Sequence, residues 1–147
     1  MLIFDKKVLR TPSSPWTGTD EELEKLVDDM GETMEKHKGI GISAIQIGVP
    51  VRVFLAEYKL FVNPQVKNLS PYKKKHWEQC LSCPNLNVRT SRHHSITMKY
   101  DTIENGKWIR GKEETFKDFS AVVVQHEYDH LNGFLIEDRG KAYYGGR

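Results

Sequence analysis

Cysteine is scarce in this chain: 147 residues hold two, Cys80 and Cys83. That excludes a small scaffold stapled by several disulfides and fits a reducing compartment. No apolar run approaches the roughly 20 residues needed to cross a membrane. The opening Met1-Leu2-Ile3-Phe4-Asp5 meets charge too early for a secretory signal. The expectation is a cytoplasmic chain with no membrane partner, a processed organelle form being left open. A strong excess of one charge is also missing. Net charge +2 gives no argument for nucleic acid, and no direct DNA binding is expected. The local run Lys73-Lys74-Lys75, beside Pro71, reads as a solvated loop or hairpin tip. There are no internal repeats and no linker. At this length the whole of 1–147 is expected to be one domain with its own core.

What is present is concentrated in Gln125-His126-Glu127-Tyr128-Asp129-His130-Leu131-Asn132-Gly133. His126 and His130 are four apart, so a helix puts them on one face, one turn apart. Two imidazoles so placed can grip one metal ion, with Glu127 between them to handle the proton of a water the metal activates. This is the core of a metal-assisted hydrolase, and a third protein ligand must complete it.

A zinc peptidase is the first reading. Residues 126–133 fit the start of the metzincin signature, but the position for its third His is Ile136. Other zincins take a later Glu, and here only Glu137 follows, so the third ligand should lie upstream. The choices there are Cys80, Cys83, His76, His93, His94 and acids such as Glu78. Both cysteines sit in Glu78-Gln79-Cys80-Leu81-Ser82-Cys83-Pro84. A redox pair lacks the thioredoxin-like context. A Cys2His2 structural site would have a far longer gap than a finger and would leave Glu127 idle. One Cys with two His is enough for a centre with an open position.

Three segments together resemble one family, the peptide deformylases. Gly39-Ile40-Gly41-Ile42-Ser43-Ala44-Ile45-Gln46 is similar to the family's G-x-G-[hydrophobic]-[AS]-A-x-Q. Glu78 to Pro84 is similar to E-G-C-L-S-x-P, and Gln125 to Gly133 to Q-H-E-x-D-H-L-x-G. Asp5, Val8-Leu9-Arg10 and Ser14-Pro15 resemble the family's opening segment, so the likeness covers nearly the whole chain. It implies one divalent metal on Cys80, His126 and His130, with Fe²⁺ as the native ion and Zn²⁺, Ni²⁺ or Co²⁺ able to substitute. It implies Glu127 as general base, and Gln46 with the backbone N–H of Leu81 as donors to the oxyanion. Glu78 and Arg92 match an ion pair that holds the cysteine loop. Asp129 and Gln125 are weaker candidates to orient a ligand histidine. Cys83 reads as a small buried hydrophobe.

The implied substrate is an N-formylmethionyl peptide, a nascent chain, from which formate is released. The methionine side chain needs apolar walls, for which Ile42, Leu81, Phe119, Val122 and Val123 are candidates. Phe119, Val122, Val123 and His126 share one helical face; each of the apolar ones also reads as ordinary core. The rest of the peptide is expected to lie extended by Gly41 and the stretch after Pro84. Two departures stand out. Gln79 replaces the family's Gly, and residues 85–88 lack an Arg that members often carry there. Many bacterial members add a long helix after the position of Ile136, implicated in docking on the ribosome. Here residues 137–147 read as a short mobile tail, a short form of the family, which leaves the ribosome open as a partner.

The expected fold is α+β, with short antiparallel sheets around a central metal-bearing helix. Thr19 and Glu22 form a capping box for a helix over 20–38, buried along Leu23, Leu26, Val27, Met30 and Met34 and stopped at Gly39. Strands are expected over 49–56, 58–62 (ended by Pro64) and 94–101. Asn105-Gly106 marks a hairpin into 107–110, and 113–116 extends the sheet. His93 and His94 are expected at the surface or an edge. The metal-bearing helix should start near 118–120 and end at Gly133, held helical by burial because Val122, Val123 and Val124 are poor helix formers. A metallopeptidase and a non-catalytic metal-stabilised binding module are the alternatives.

Overall fold

In the computed structural model, which describes residues 1–144, the capping box forms. Thr19 Oγ1 accepts from Glu22 N at 3.1 Å, and Glu22 Oε1 accepts from Thr19 N at 2.9 Å. Two orphan amides are satisfied and helix α2 (Asp20–Lys36) begins; a short α1 (Lys6–Leu9) precedes it, capped by Asp5. Leu23, Leu26, Met30 and Met34 are buried, as the periodicity predicts. The helix ends two residues early. The left-handed residue is Lys38 (φ 56°), while the Gly39 N–H closes on Met34 O at 2.9 Å and Lys38 N–H on Glu35 O at 3.1 Å. That is the Schellman pattern with lysine in the strained position.

Eight strands are formed among the described residues: β1 (Gly41–Ser43), β2 (Val53–Ala56), β3 (Lys59–Leu69), β4 (Lys73–Cys80), β5 (Cys83–His93), β6 (Ser95–Glu104), β7 (Lys107–Lys117) and β8 (Gly140–Tyr144). They make a five-stranded sheet, β1-β2-β3-β6-β7, and a three-stranded sheet, β4-β5-β8, paired antiparallel throughout. Helix α3 (Asp118–Leu131) packs against strands of both, so it is the central element of the α+β fold.

Four expectations need correction. Pro64 does not end a strand: β3 runs through it, because the ladder to β6 shifts register between Val62 and Gln65, and a bulge tolerates a missing N–H. The first strand of the 49–56 stretch is confined to β2, with Val51 making only an isolated bridge to Ser14. Lys73-Lys74-Lys75 is not a loop but the start of β4, an outer strand with one wet face, where lysine is at home. The tail is not free up to Tyr144: Ile136–Arg139 forms a 3-10 turn and β8 pairs with β5 from Leu86 to Thr90. Residues 145–147 of that expectation lie outside the described residues.

The core has two main parts. One packs the apolar stripe of α2 on Ile42, Val53, Leu55 and Val62. The other packs α3, through Ala121, Val123, Val124 and Leu131, on Phe54, Phe61, Met98 and Phe116. Phe54 and Phe61 stack with ring centroids 4.5 Å apart. Burial there overrides the poor helix propensity of the valines, since a fully buried Val is stabilised by roughly 1.5–3 kcal/mol relative to exposure. Beyond α3, Gly133 adopts φ +80°, and a Cβ on it would lie 2.4 Å from Arg10 O. Only glycine lets the N-terminal segment approach the end of α3 so closely.

Candidate active site

Three elements converge at one end of α3. The β4–β5 hairpin turns at Leu81-Ser82, directly after Cys80, which is in register with Cys83. The helix projects His126, Glu127 and His130, and β1 with the 3-10 turn Ala44–Ile47 supplies Gly41, Ser43 and Gln46. One ligand atom from each of Cys80, His126 and His130 lies within 4.8 Å of the others. Cys80 Sγ is 3.5 Å from His130 Nε2. A thiol and two imidazoles, nearly dry and mutually in reach, are a donor set suited to one borderline-soft divalent metal.

The second nitrogen of His126 is held. Its Nδ1 donates to Glu78 Oε1 at 3.0 Å, and Glu78 in turn accepts from Arg92 Nε at 2.7 Å and from the Thr90 hydroxyl. Arg92 also donates to Asp129 at 2.5 Å, and Asp129 accepts from Arg139 Nε at 2.9 Å. The expected Glu78–Arg92 pair is thus present inside a longer buried chain of charges. Burial opposes ionisation of Glu78, but the Arg92 and His126 hydrogen bonds outweigh it and hold its pKa far below the usual carboxylate range. Asp129 makes no hydrogen bond to His126 or His130 among the described residues; it braces Arg92. Gln125 likewise faces β5, accepting from His93 N at 3.1 Å and donating to His93 O at 2.8 Å. Burial, then the neighbouring His126, push His130 well below the ordinary imidazole value, which leaves it neutral.

Glu127 is buried, and burial raises its pKa, tempered by His126 and by the Ser43 hydroxyl. Ser43 Oγ donates to Glu127 Oε1 at 2.9 Å. Ser43 was not singled out by the sequence; a small polar residue beside a motif Ala carries no signal until the fold sets it against α3. A Cβ on Gly41 would lie 2.7 Å from Glu127 Oε2, so glycine is needed there for close approach. Gln46 is buried. Its Oε1 accepts from Ser43 N at 2.9 Å, and its Nε2 donates to Ser82 Oγ at 3.1 Å and faces Cys80 Sγ at 3.7 Å. The Cys83 thiol and burial push the Cys80 thiol up; a bound cation acts in the opposite sense.

Gly41, Gln46, Glu78, Cys80, His126 and Glu127 border a cavity of about 450 Å³. Leu81, Val122, Val123 and the His126 ring line it, with Phe119 exposed at the mouth beside Ile40 and Trp77. Ile42 does not line it: neighbours on a strand face opposite ways, so Gly41 meets the cavity while Ile42 is sealed in the core against α2. Cys83 is buried with Leu86, Val88 and Ile136, outside the ligand cluster. The two departures from the family pattern touch one another: Gln79 Nε2 donates to Asn87 Oδ1 at 2.7 Å, at the cavity rim.

The fold and this site define a class, a helix-borne His-Glu-x-x-His centre completed by a cysteine from a β-hairpin. The polypeptide deformylase family model matches residues 1–143. A peptide deformylase of Thermotoga petrophila is 36% identical over 141 residues, covering 93% of this chain and 84% of that protein. The crystal structure of the Thermotoga maritima peptide deformylase superposes with a TM-score of 0.86 at 35% identity, covering 96% of each chain. A Met-Ala-Ser-bound peptide deformylase of Acinetobacter baumannii superposes with 0.83 at 29%, covering 95% of this chain and 96% of that one. The chain belongs to the peptide deformylase family and is an enzyme of that kind.

Proposed function

We propose that residues 1–147 are a single catalytic domain that removes the N-formyl group from formyl-methionyl nascent peptides, releasing formate and a free amino terminus. The observation that carries the proposal is the convergence of Cys80, His126 and His130 beside a buried Glu127, with Cys80, His126 and Glu127 lining one cavity and His130 buried behind them. Cys80, His126 and His130 would hold one divalent metal, with Fe²⁺ the native ion and Zn²⁺, Ni²⁺ or Co²⁺ able to replace it. When bound, the metal supplies Lewis acidity, acidifying water and polarising the formyl carbonyl.

The chain's own groups do the rest. Glu127 takes the proton of the attacking water and delivers it to the departing amine nitrogen. Its raised pKa suits both halves of that task, and the Ser43 hydroxyl fixes its orientation. Gln46 Nε2 and the Leu81 N–H donate to the oxygen on which negative charge develops. The Gln46 amide is pre-aimed, because its other end is fastened to the Ser43 backbone. Val122, Val123, Leu81 and the His126 ring receive the methionine side chain, and Phe119 screens the mouth from water. Gly41 lies where an extended peptide passes, and Ile42 supports it from the core side. The Acinetobacter enzyme's Met-Ala-Ser complex supports this substrate class.

No helix of the described residues is long and apolar enough to cross a membrane. We place the enzyme in the cytoplasm, where formylated nascent chains arise; contact with the ribosome is not part of the proposal. The discriminating experiment is product analysis by mass spectrometry after incubating Ni²⁺-loaded protein with formyl-Met-Ala-Ser. Deformylation predicts Met-Ala-Ser and formate in equal amounts. Cleavage between Met and Ala would identify a peptidase, and an unchanged substrate would leave the binding-module reading.

A further inference from the structure

We propose that the outward face of the β4-β5-β8 sheet, continuous with the cavity mouth, is a subsite for acidic residues of the peptide downstream of its formyl-methionine. This rests on the deformylase reading given above.

Trp77, Arg89 and Lys141 stand directly opposite one another across the three strands. Residues so paired share a face, on strands about 4.8 Å apart. Lys73 and Lys75 share that face by alternation along β4. The three strands hold one acidic residue, Glu78, and it points inward, buried against Arg92. Lys73, Lys75, Arg89 and Lys141 form no ion pair among the described residues. The face therefore presents cations that nothing in the sheet neutralises.

Two of these cations are held in place. The Arg89 guanidinium lies 5.5 Å over the Trp77 ring, and Lys141 Nζ lies 5.5 Å over Tyr143. The two rings pack on each other with centroids 5.4 Å apart. Cations resting on aromatic planes lose less side-chain freedom on meeting a carboxylate.

Continuity with the cavity selects the occupant. Trp77, Gln79 and Asn87 belong both to this sheet and to the cavity lining. The carboxylates that line the cavity, Glu78 and Glu127, are buried, and the exposed charge at its mouth is Lys38. β4 is an outer strand whose Cys80 end borders the cavity. A peptide entering by its formylated end leaves along that edge and passes Lys75 and then Lys73. At about 3.3 Å per extended residue, carboxylates from roughly the fourth residue onward meet these cations.

The test uses formyl-Met-Ala-Ser extended by Glu-Glu-Glu, Gln-Gln-Gln or Lys-Lys-Lys, turned over by the Ni²⁺-loaded protein. At low ionic strength kcat/KM should fall from the acidic to the neutral to the basic tail. The acidic-to-neutral ratio should be about fivefold, the scale of one or two exposed ion pairs, and should shrink in high salt. In a Lys75→Glu, Lys141→Glu variant, judged against its own neutral-tail rate, the order should reverse. Fluorescence anisotropy of the labelled product Met-Ala-Ser-Glu-Glu-Glu should show the same reversal without turnover. Equal kcat/KM for the three tails, or an order unmoved by the charge reversal, would overturn the subsite. So would salt-dependent binding of a single-stranded RNA 12-mer, lost on charge reversal, with no tail preference, which would assign the face to nucleic acid. Failure to release formate from any tail would sink the deformylase reading, while the anisotropy would still decide the subsite.

Discussion

Single atoms decide whether Glu127 is positioned. Its carboxylate sits between the Ser43 hydroxyl, at 2.9 Å, and the bare Cα of Gly41. Gly41→Ala places a methyl 2.7 Å from Oε2, so the carboxylate must shift. A displacement near 1 Å at a catalytic group costs on the order of 100-fold. The expected outcome is kcat lowered by roughly 10- to 100-fold with metal content unchanged, measured on formyl-Met-Ala-Ser beside elemental analysis. Unchanged kcat would mean that Glu127 needs no such confinement. At this scale the grouping of His126 and His130 was legible, because the helical period alone puts them on one face; the roles proposed for Cys80 and Glu127 came from the family likeness. Ser43 and the partner of His126 were not legible. Glu78 is 48 residues from His126, and only the tertiary fold joins them, through their hydrogen bond.

Among the elements, the hairpin of β4 and β5 carries the greatest burden, since it must hold a cysteine against a helix from another part of the chain. It is fastened by the buried run Glu78, Arg92 and Asp129, which ends on the half-exposed Arg139. Removing the central cation takes the buried Glu78 carboxylate's ion-pair partner and leaves Asp129 with Arg139 alone, a loss of about 3–5 kcal/mol. Arg92→Met is therefore expected to lower unfolding free energy by that amount in urea titrations, and to weaken metal binding about 10- to 100-fold through the loosened His126. A loss under about 1 kcal/mol would show that the hairpin is held by its apolar contacts instead. Helices were readable in the sequence, because caps and apolar stripes are local. Strands were read less well. β4 hides behind three lysines on a wet edge, β3 crosses Pro64 at a bulge, and β8 exists only because its backbone completes β5. None of these leaves a hydrophobic alternation to read.

At the scale of the molecule, two antiparallel sheets grip one helix, and the site lies where both sheets and the helix meet. The family likeness carried the fold class, antiparallel sheets around a central helix, while the strand order had to come from the structure. In the proposed reaction the Cys80, His126 and His130 centre and Glu127 together hydrolyse a formyl amide. The direct measurement is formate release against metal equivalents, for wild type and Glu127→Gln, loaded anaerobically with Fe²⁺. Wild-type turnover should rise linearly to one equivalent per chain and stop. The variant should bind the same single equivalent yet turn over roughly 100- to 10,000-fold more slowly. Full metal loading with no formate from the wild type, or equal rates in the two proteins, would contradict it.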